Sequence, residues 1–298
     1  MFGECRNNGG EAMGWKALHL FIHDISFHNV FLVEYLKPEI ERMEQTSLLK
    51  QFFYISYWQG GNHIRFRYKS HRPKQVEAEV KACFASFQSC YKPVYVLSKT
   101  AYYELYSDNK EQVEDLTWVN DRTVQAMEYE PEFQRYGGSS CMVHNEALFS
   151  ISSRYALQIR KDAGSNMLHR IIGALDMFTI ALRCLQDPMD FLTRYRTYWA
   201  EFAPSKSSIV MSATELSEKY KERYKKLIQN GYVFYSEWEK ALQKEMKEIC
   251  RIQTTYFDAE SARAMILSSQ IHMTNNRLGV FPQMEAFLAE VLCLCEGD

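Results

Sequence analysis

The chain has 298 residues, 46% hydrophobic and 14% aromatic, with a formal net charge of -2. It is long enough and apolar enough to bury a sizeable core, and its balanced charge argues against non-specific nucleic-acid binding, which needs a concentrated basic surface. No run of about eighteen apolar residues predicts a membrane-spanning helix, and the polar residues 1–14 lack the apolar stretch of a secretory signal.

Strand-like alternation predicts extended segments over residues 15–24, 52–68, 94–106 and 127–129, interrupted by helical patterns at 33–43 and 74–91. Pro73 opens the second of these helices. Beyond residue 140 helices dominate, at 140–160, 166–184, 189–201, 213–230, 232–249, 259–275 and 282–294. Strands first and helices later predict an α+β fold. We expect one domain over 1–298, with sheet-rich residues 1–139 and helical residues 140–298 framing a cleft.

The eight cysteines sit on a long chain without an export signal, which favours reduced thiols. No C-x-x-C pair occurs, and Cys293-x-Cys295 lacks a second pair at zinc-site spacing, so no structural zinc is expected. Cys83 and Cys90, seven apart, fall on what reads as a buried helix face. Glycine-rich nucleotide loops, H-E-x-x-H and G-x-S-x-G are all absent. Chemistry without nicotinamide, ATP or metal is therefore expected, carried by histidine, arginine, tyrosine and carboxylates.

Three polar clusters qualify. In the hairpin Phe52–Trp58, Gln59-Gly60-Gly61-Asn62, His63–Tyr68, alternation puts Ile64, Phe66 and Tyr68 on one face and His63, Arg65 and Arg67 on the other. Three basic groups on one face call for an anion, and guanidinium forks suit carboxylate or phosphate. The second cluster is Glu130-Pro-Glu132-Phe-Gln-Arg135-Tyr136-Gly-Gly138, in which a Gly-Gly turn presents an arginine beside acids. The third is Ile271-His272-Met-Thr-Asn275-Asn276-Arg277-Leu-Gly279, where His272 and Asn276 share a helix face and Gly279 with Pro282 marks a helix stop.

The tracts Trp58-x-x-Gly-Asn-His63-Ile-Arg65-Phe-Arg67, Tyr129 to Gly138 followed by Glu146 and Ser152-Ser153, and His272-Met-x-Asn-Asn-Arg277-Leu resemble the C-terminal elimination domain of class I lantibiotic dehydratases, a family that includes free-standing thiopeptide biosynthesis proteins. The resemblance runs from Trp15 to about Leu294. It implies removal of glutamate from glutamylated Ser or Thr in a ribosomal precursor peptide, leaving dehydroamino acids. It implies Arg67, Arg135 and His272 as catalytic residues. His63, Arg65, Glu132, Tyr136, Asn276 and Arg277 become candidates for substrate binding.

No cofactor, metal, bound nucleic acid or membrane is expected. The implied partners are a leader-bearing precursor peptide and a separate tRNA-dependent glutamylation protein, because no glutamylation domain precedes these tracts. A homodimer is compatible with this scheme, and the implied location is the bacterial cytoplasm. Related free-standing enzymes instead join two dehydroalanines by a formal aza-[4+2] cycloaddition, forming a pyridine and expelling the leader. Trp15-x-x-x-His19, with His23, has the flavour of that group. A leader-peptide-binding module that uses a free sheet edge is the third alternative.

Overall fold

The computed structural model describes residues 13–94, 97–106, 115–202, 211–252 and 259–297. Four strands, β1 Lys16–Phe21, β2 Gln51–Tyr57, β3 His63–Lys69 and β4 Val124–Met127, form an antiparallel sheet of order β2-β3-β1-β4. Strict alternation buries Leu18, Leu20, Phe52, Tyr54, Ile64, Phe66 and Tyr68. A continuous helical stretch follows β1: α1 His28–Val30, a π-helical segment Phe31–Leu36 and α2 Lys37–Gln45. Helix α3, Pro73–Cys90, packs on β1 and on the π segment, bringing Phe84 and Phe87 to 5.3 and 5.2 Å from Phe31.

The remaining helices are α4 Lys99–Tyr106, α5 Ser139–Ala163, α6 Met167–Leu182, α7 Pro188–Ala200, α8 Ala213–Asn230, α9 Ser236–Arg251, α10 Ala259–Leu278 and α11 Glu285–Glu296. The fold is α+β, with the helical part as expected from the sequence. One contiguous apolar core runs from Leu18 on the sheet to Cys295 in α11.

Three local expectations change. Residues 94–106 read as a strand, but from Lys99 they form α4, and positions 95 and 96 lie outside the described residues. Consecutive buried Tyr102 and Tyr103 hydrogen-bond to Trp58 O and Thr117 O, so tertiary contacts override strand propensity there. The strand expected at 127–129 ends at Met127 and begins at Val124. On α3 the buried stripe is Val76, Val80, Phe84 and Phe87; Cys83 is half-buried, and Cys90, the last helical residue, is exposed. All described cysteines are free thiols, and among the described residues no single helix is long and apolar enough to cross a membrane.

The outer edge of β2 would expose a row of unpaired backbone groups. Helices α5 and α10 close it with side chains. Asn276 bonds Ser56 in both directions, its Oδ1 accepting from Ser56 N at 2.9 Å and its Nδ2 donating to Ser56 O at 2.9 Å. Arg277 Nε donates to Tyr54 O at 3.1 Å, the Tyr54 hydroxyl donates to Arg277 O at 2.8 Å, and Ser153 Oγ accepts from Tyr54 N at 3.3 Å. Two residues with substrate-binding expectations, Asn276 and Arg277, thus spend polar atoms on the strand edge, and Arg277 is wholly buried. Losing both bonds to Ser56 leaves a partly buried donor and acceptor unpaired, so Asn276→Ala is expected to lower the unfolding free energy by about 1–3 kcal/mol in urea titration. No change in the urea midpoint would mean that water satisfies this edge.

Candidate active site

The exposed edge of chemistry lies on the opposite face of the sheet. The register pairs His19 with Arg65, Phe21 with His63 and Phe53 with Arg67, so His19 joins His63, Arg65 and Arg67 on one surface. The three basic groups expected to repel one another do not all carry charge. His63 is buried, its Nδ1 lies 2.7 Å from Gly61 O, and its Nε2 accepts from Arg65 Nε at 3.1 Å. Burial pushes His63 down to about 3, and burial with the nearby Arg65 and Arg67 pushes His19 down to about 4. Both rings are neutral; they stack at 4.9 Å. Gly61 holds the turn at φ +106, and a Cβ there would strike the His23 ring at 2.3 Å.

The cations on this face meet different surroundings. Lys69 lies 3.6 Å from Glu146, and Arg65 rests on the Tyr57 ring at 3.4 Å. Among the described residues, Arg67 has no acidic partner within ion-pair distance. Its guanidinium lies 5.3 Å from the Phe53 ring and 5.4 Å from the Tyr129 ring, and its buried Nε has no hydrogen-bond partner. Burial first, and Arg65 second, bring Arg67 down to about 10.

The turn before α5 brings in the second cluster. Gly137 and Gly138 adopt φ +82 and +102, and Gly138 N bonds Phe133 O at 2.7 Å. A Cβ on Gly137 would meet Ile266 Cδ1 at 2.9 Å, so glycine is what lets the turn press onto α10. Arg135 lies 3.4 Å from Glu132 and donates from Nε to Ser269 Oγ on α10 at 3.1 Å. Glu132 is also within electrostatic reach of Arg65 and Arg67. Buried Tyr136, pushed up to about 12 chiefly by desolvation, feels Arg135, Arg277 and Arg67 together. Arg135 lies 5.9 Å from the Tyr136 ring, and Arg67 is within electrostatic reach of the same tyrosine.

His272 lies three residues beyond Ser269 on α10. Its Nδ1 is 3.0 Å from Glu285 Oε1, and its ring stacks on Trp199 at 4.6 Å. The helix stop at Gly279 and Pro282 folds α11 back so that Glu285 reaches it. Of the polar residues beside His272, Asn275 shares its partner Glu285, while Asn276 turns to β2. The structure thus gathers Arg65, Arg67, Glu132, Arg135 and Tyr136, and sets His272 one helical turn from Arg135's anchor. Glu285, Tyr195 and Trp199 were not among the sequence candidates, and His19 was noted only for its resemblance to the cyclase group. The two described cavities, of about 290 and 300 Å³, share no residue with this face.

Comparison with known proteins decides the family. The family model for the lantibiotic biosynthesis dehydratase C-terminal region matches residues 15–295. The chain belongs to this family. Its members tailor ribosomally made peptides. Among solved structures, the chain is similar to TbtD, described as a pyridine synthase from thiomuracin biosynthesis, at 12% identity and TM-score 0.71, covering 95% of this chain and 98% of that one. It is similar to the tRNA-dependent lantibiotic dehydratase MibB from Microbispora sp. 107891 at 16% identity and TM-score 0.62, spanning 96% of this chain but 28% of MibB. TsrL aligns at 12% identity and TM-score 0.57, covering 96% and 95%. At these identities the likeness establishes the fold. The comparison with curated proteins gives no match.

The neutral histidines carry a pH signature. In the unfolded chain they protonate near 6.5, whereas His63 in the folded protein resists protonation down to about 3. Between these values the unfolded state binds more protons, so this stabilisation is full above 6.5 and is lost as pH falls. His63→Gln is expected to flatten the fall in unfolding free energy between pH 6.5 and 5, by at most about 1.4 kcal/mol per pH unit. Denaturant titrations at these pH values read the slope. Parallel slopes for both proteins would mean that His63 protonates equally in the two states.

Proposed function

We propose that the chain is a carbon–oxygen lyase that expels glutamate from glutamylated Ser or Thr of a precursor peptide. The observation carrying this reading is Arg67: a largely buried guanidinium among aromatic rings, with an unpartnered Nε and no carboxylate paired to it. A buried charge without a counter-ion is costly, so the environment favours an anionic ligand at this point. Glutamate esterified to a peptide hydroxyl brings one carboxylate and gains a second as it leaves.

In the elimination, His272 takes the Cα proton. The Cα–H electron pair forms the Cα=Cβ bond, the Cβ–O bond breaks, and its electrons leave on the glutamate carboxylate. Arg67 and Arg135 hold the departing carboxylate and the enolate-like charge. Tyr136, pushed up to about 12 chiefly by desolvation, remains protonated. Arg65 is oriented by His63 and Tyr57, and exposed Glu132 steers Arg135. A separate protein carrying out tRNA-dependent glutamylation would supply the substrate.

A second reading, pyridine synthesis from two dehydroalanines, draws support from His19. Its neutral ring stacks on His63 at the same face and offers a base that needs no anion. That reaction brings no glutamate carboxylate to Arg67. A leader-binding module without activity has less support, because helices already close the β2 edge.

Mass spectrometry of peptides after incubation separates these readings. Loss of glutamate from a glutamylated peptide supports the lyase, leader loss from a bis-dehydroalanine peptide supports the synthase, and binding without mass change supports the module. In the lyase, Arg67→Ala or Arg135→Ala is expected to leave glutamylated peptide accumulating, with a rate loss equivalent to about 2.7–4 kcal/mol. Arg67→Lys keeps charge but loses the fork, so near-complete loss there marks bidentate carboxylate recognition. Full turnover by both alanine variants would sink the lyase assignment.

A further inference from the structure

We propose that Glu285 is the positioning residue of His272, fixing the imidazole with its proton on Nδ1 and presenting Nε2 as the atom that takes the substrate proton. The role assigned to Nε2 rests on the lyase reading; the orientation of the ring does not.

Glu285 is wholly buried, and its carboxylate meets three donors from two helices, α7 and α10. His272 Nδ1 lies 3.0 Å from Oε1, and Tyr195 OH and Asn275 Nδ2 donate to Oε2 at 2.5 and 2.6 Å. It also opens α11, where a helix N-terminus favours negative charge. With Oε2 taken by the tyrosine and the amide, Oε1 is left to the imidazole. A carboxylate oxygen only accepts, so Nδ1 is the protonated nitrogen and Nε2 carries the free lone pair. Stacking on Trp199, at an interplanar angle of 24°, fixes the ring plane.

The molecule contains a contrasting pair. His144 Nδ1 lies 2.5 Å from Glu245 Oε2, but that carboxylate is shared with Lys244, whose side chain is three-quarters exposed. Among the described residues, no cation pairs with Glu285 other than the one that forms when His272 takes a proton. The imidazolium of the transition state would therefore arise beside a buried, pre-oriented carboxylate, the arrangement in which developing charge is stabilised most.

Replacing the carboxylate by an amide gives a directional test. In Glu285→Gln the amide oxygen is held at the Oε2 position by the donors Tyr195 and Asn275, so the NH2 group faces Nδ1. Nδ1 must then accept, and the proton moves to Nε2, which can no longer act as a base. In 15N NMR spectra of histidine-labelled protein, with His272 assigned by its absence in His272→Gln, the wild type is expected to show Nδ1 protonated and Nε2 pyridine-like. E285Q is expected to reverse this pattern and to lose about 10²-fold or more in kcat on glutamylated peptide, with KM changed only a few-fold.

A wild-type spectrum with Nε2 protonated overturns the proposal whether or not E285Q folds, and so does wild-type kcat in folded E285Q. If the wild type shows the expected tautomer but releases no glutamate from glutamylated peptide, the lyase reading fails while the positioning by Glu285 stands.

Discussion

The closure of the β2 edge by helix α10 is the constraint on which the candidate site depends. A strand edge left open in the interior would strand the backbone of Tyr54 and Ser56, and Asn276 and Arg277 remove that cost by pairing with it. The pairing is reciprocal, since Arg277 O in turn accepts from Tyr54 OH and from Arg160 Nε. It therefore fixes both the position and the rotation of α10 about its axis. Once the Asn276 side points at the sheet, Ser269 is set to receive Arg135 and His272 is set toward Trp199 and Glu285. The polar residues near the end of α10 divide between holding the two halves together and holding the histidine.

The sheet half solves a different problem, that of keeping cations close together. Protonated His63 and His19 beside Arg65 and Arg67 would add repulsion in a region that water reaches poorly. Burial keeps both rings neutral, and His63 becomes an acceptor that orients Arg65. Lys69 takes Glu146, and among the described residues neither Arg65 nor Arg67 has an acid within ion-pair distance; Arg65 Nε donates to His63, which leaves Arg67 as the arginine of this row whose Nε has no partner. Aromatic faces partly compensate a guanidinium but leave its planar fork open to an oxyanion. That selective lack of a partner is the main electrostatic feature of the surface.

Periodicity and composition made the helical half legible from sequence, because its elements are long and end at Gly, Pro or capping residues such as Ser212 before α8. The hairpin was equally readable, since Ile64, Phe66 and Tyr68 alternate with basic residues around a glycine turn. Segment 94–106 was not, because tyrosine favours strands until its hydroxyl finds tertiary partners, as Tyr102 and Tyr103 do. In the candidate site, arginines announced themselves by charge on an alternating strand. Glu285 did not: its pairing with His272 crosses a helix stop and a 3-10 turn, and a glutamate opening a helix reads locally as a favourable first-turn charge. Asn276 and Arg277 looked like site residues for the converse reason. A buried polar residue that completes a strand edge has the same sequence signature as one that meets a ligand.

Elimination and cycloaddition place different demands on this geometry. Elimination needs a base at Cα and an electrostatic sink for a leaving carboxylate, held far enough apart that the two do not neutralise each other. In the proposed lyase the two would be separated by element: the arginines lie on β3 and before the glycine turn, and the histidine with its carboxylate lies on α10 and α11. Arg135 touches both, through Glu132 on the turn and Ser269 on the helix. A cycloaddition has no departing carboxylate to stabilise, and an unpaired guanidinium at Arg67 would then be a standing desolvation cost with no return in the transition state. The elimination proposed above is the reading in which the most costly group of this face, Arg67, would meet an anion.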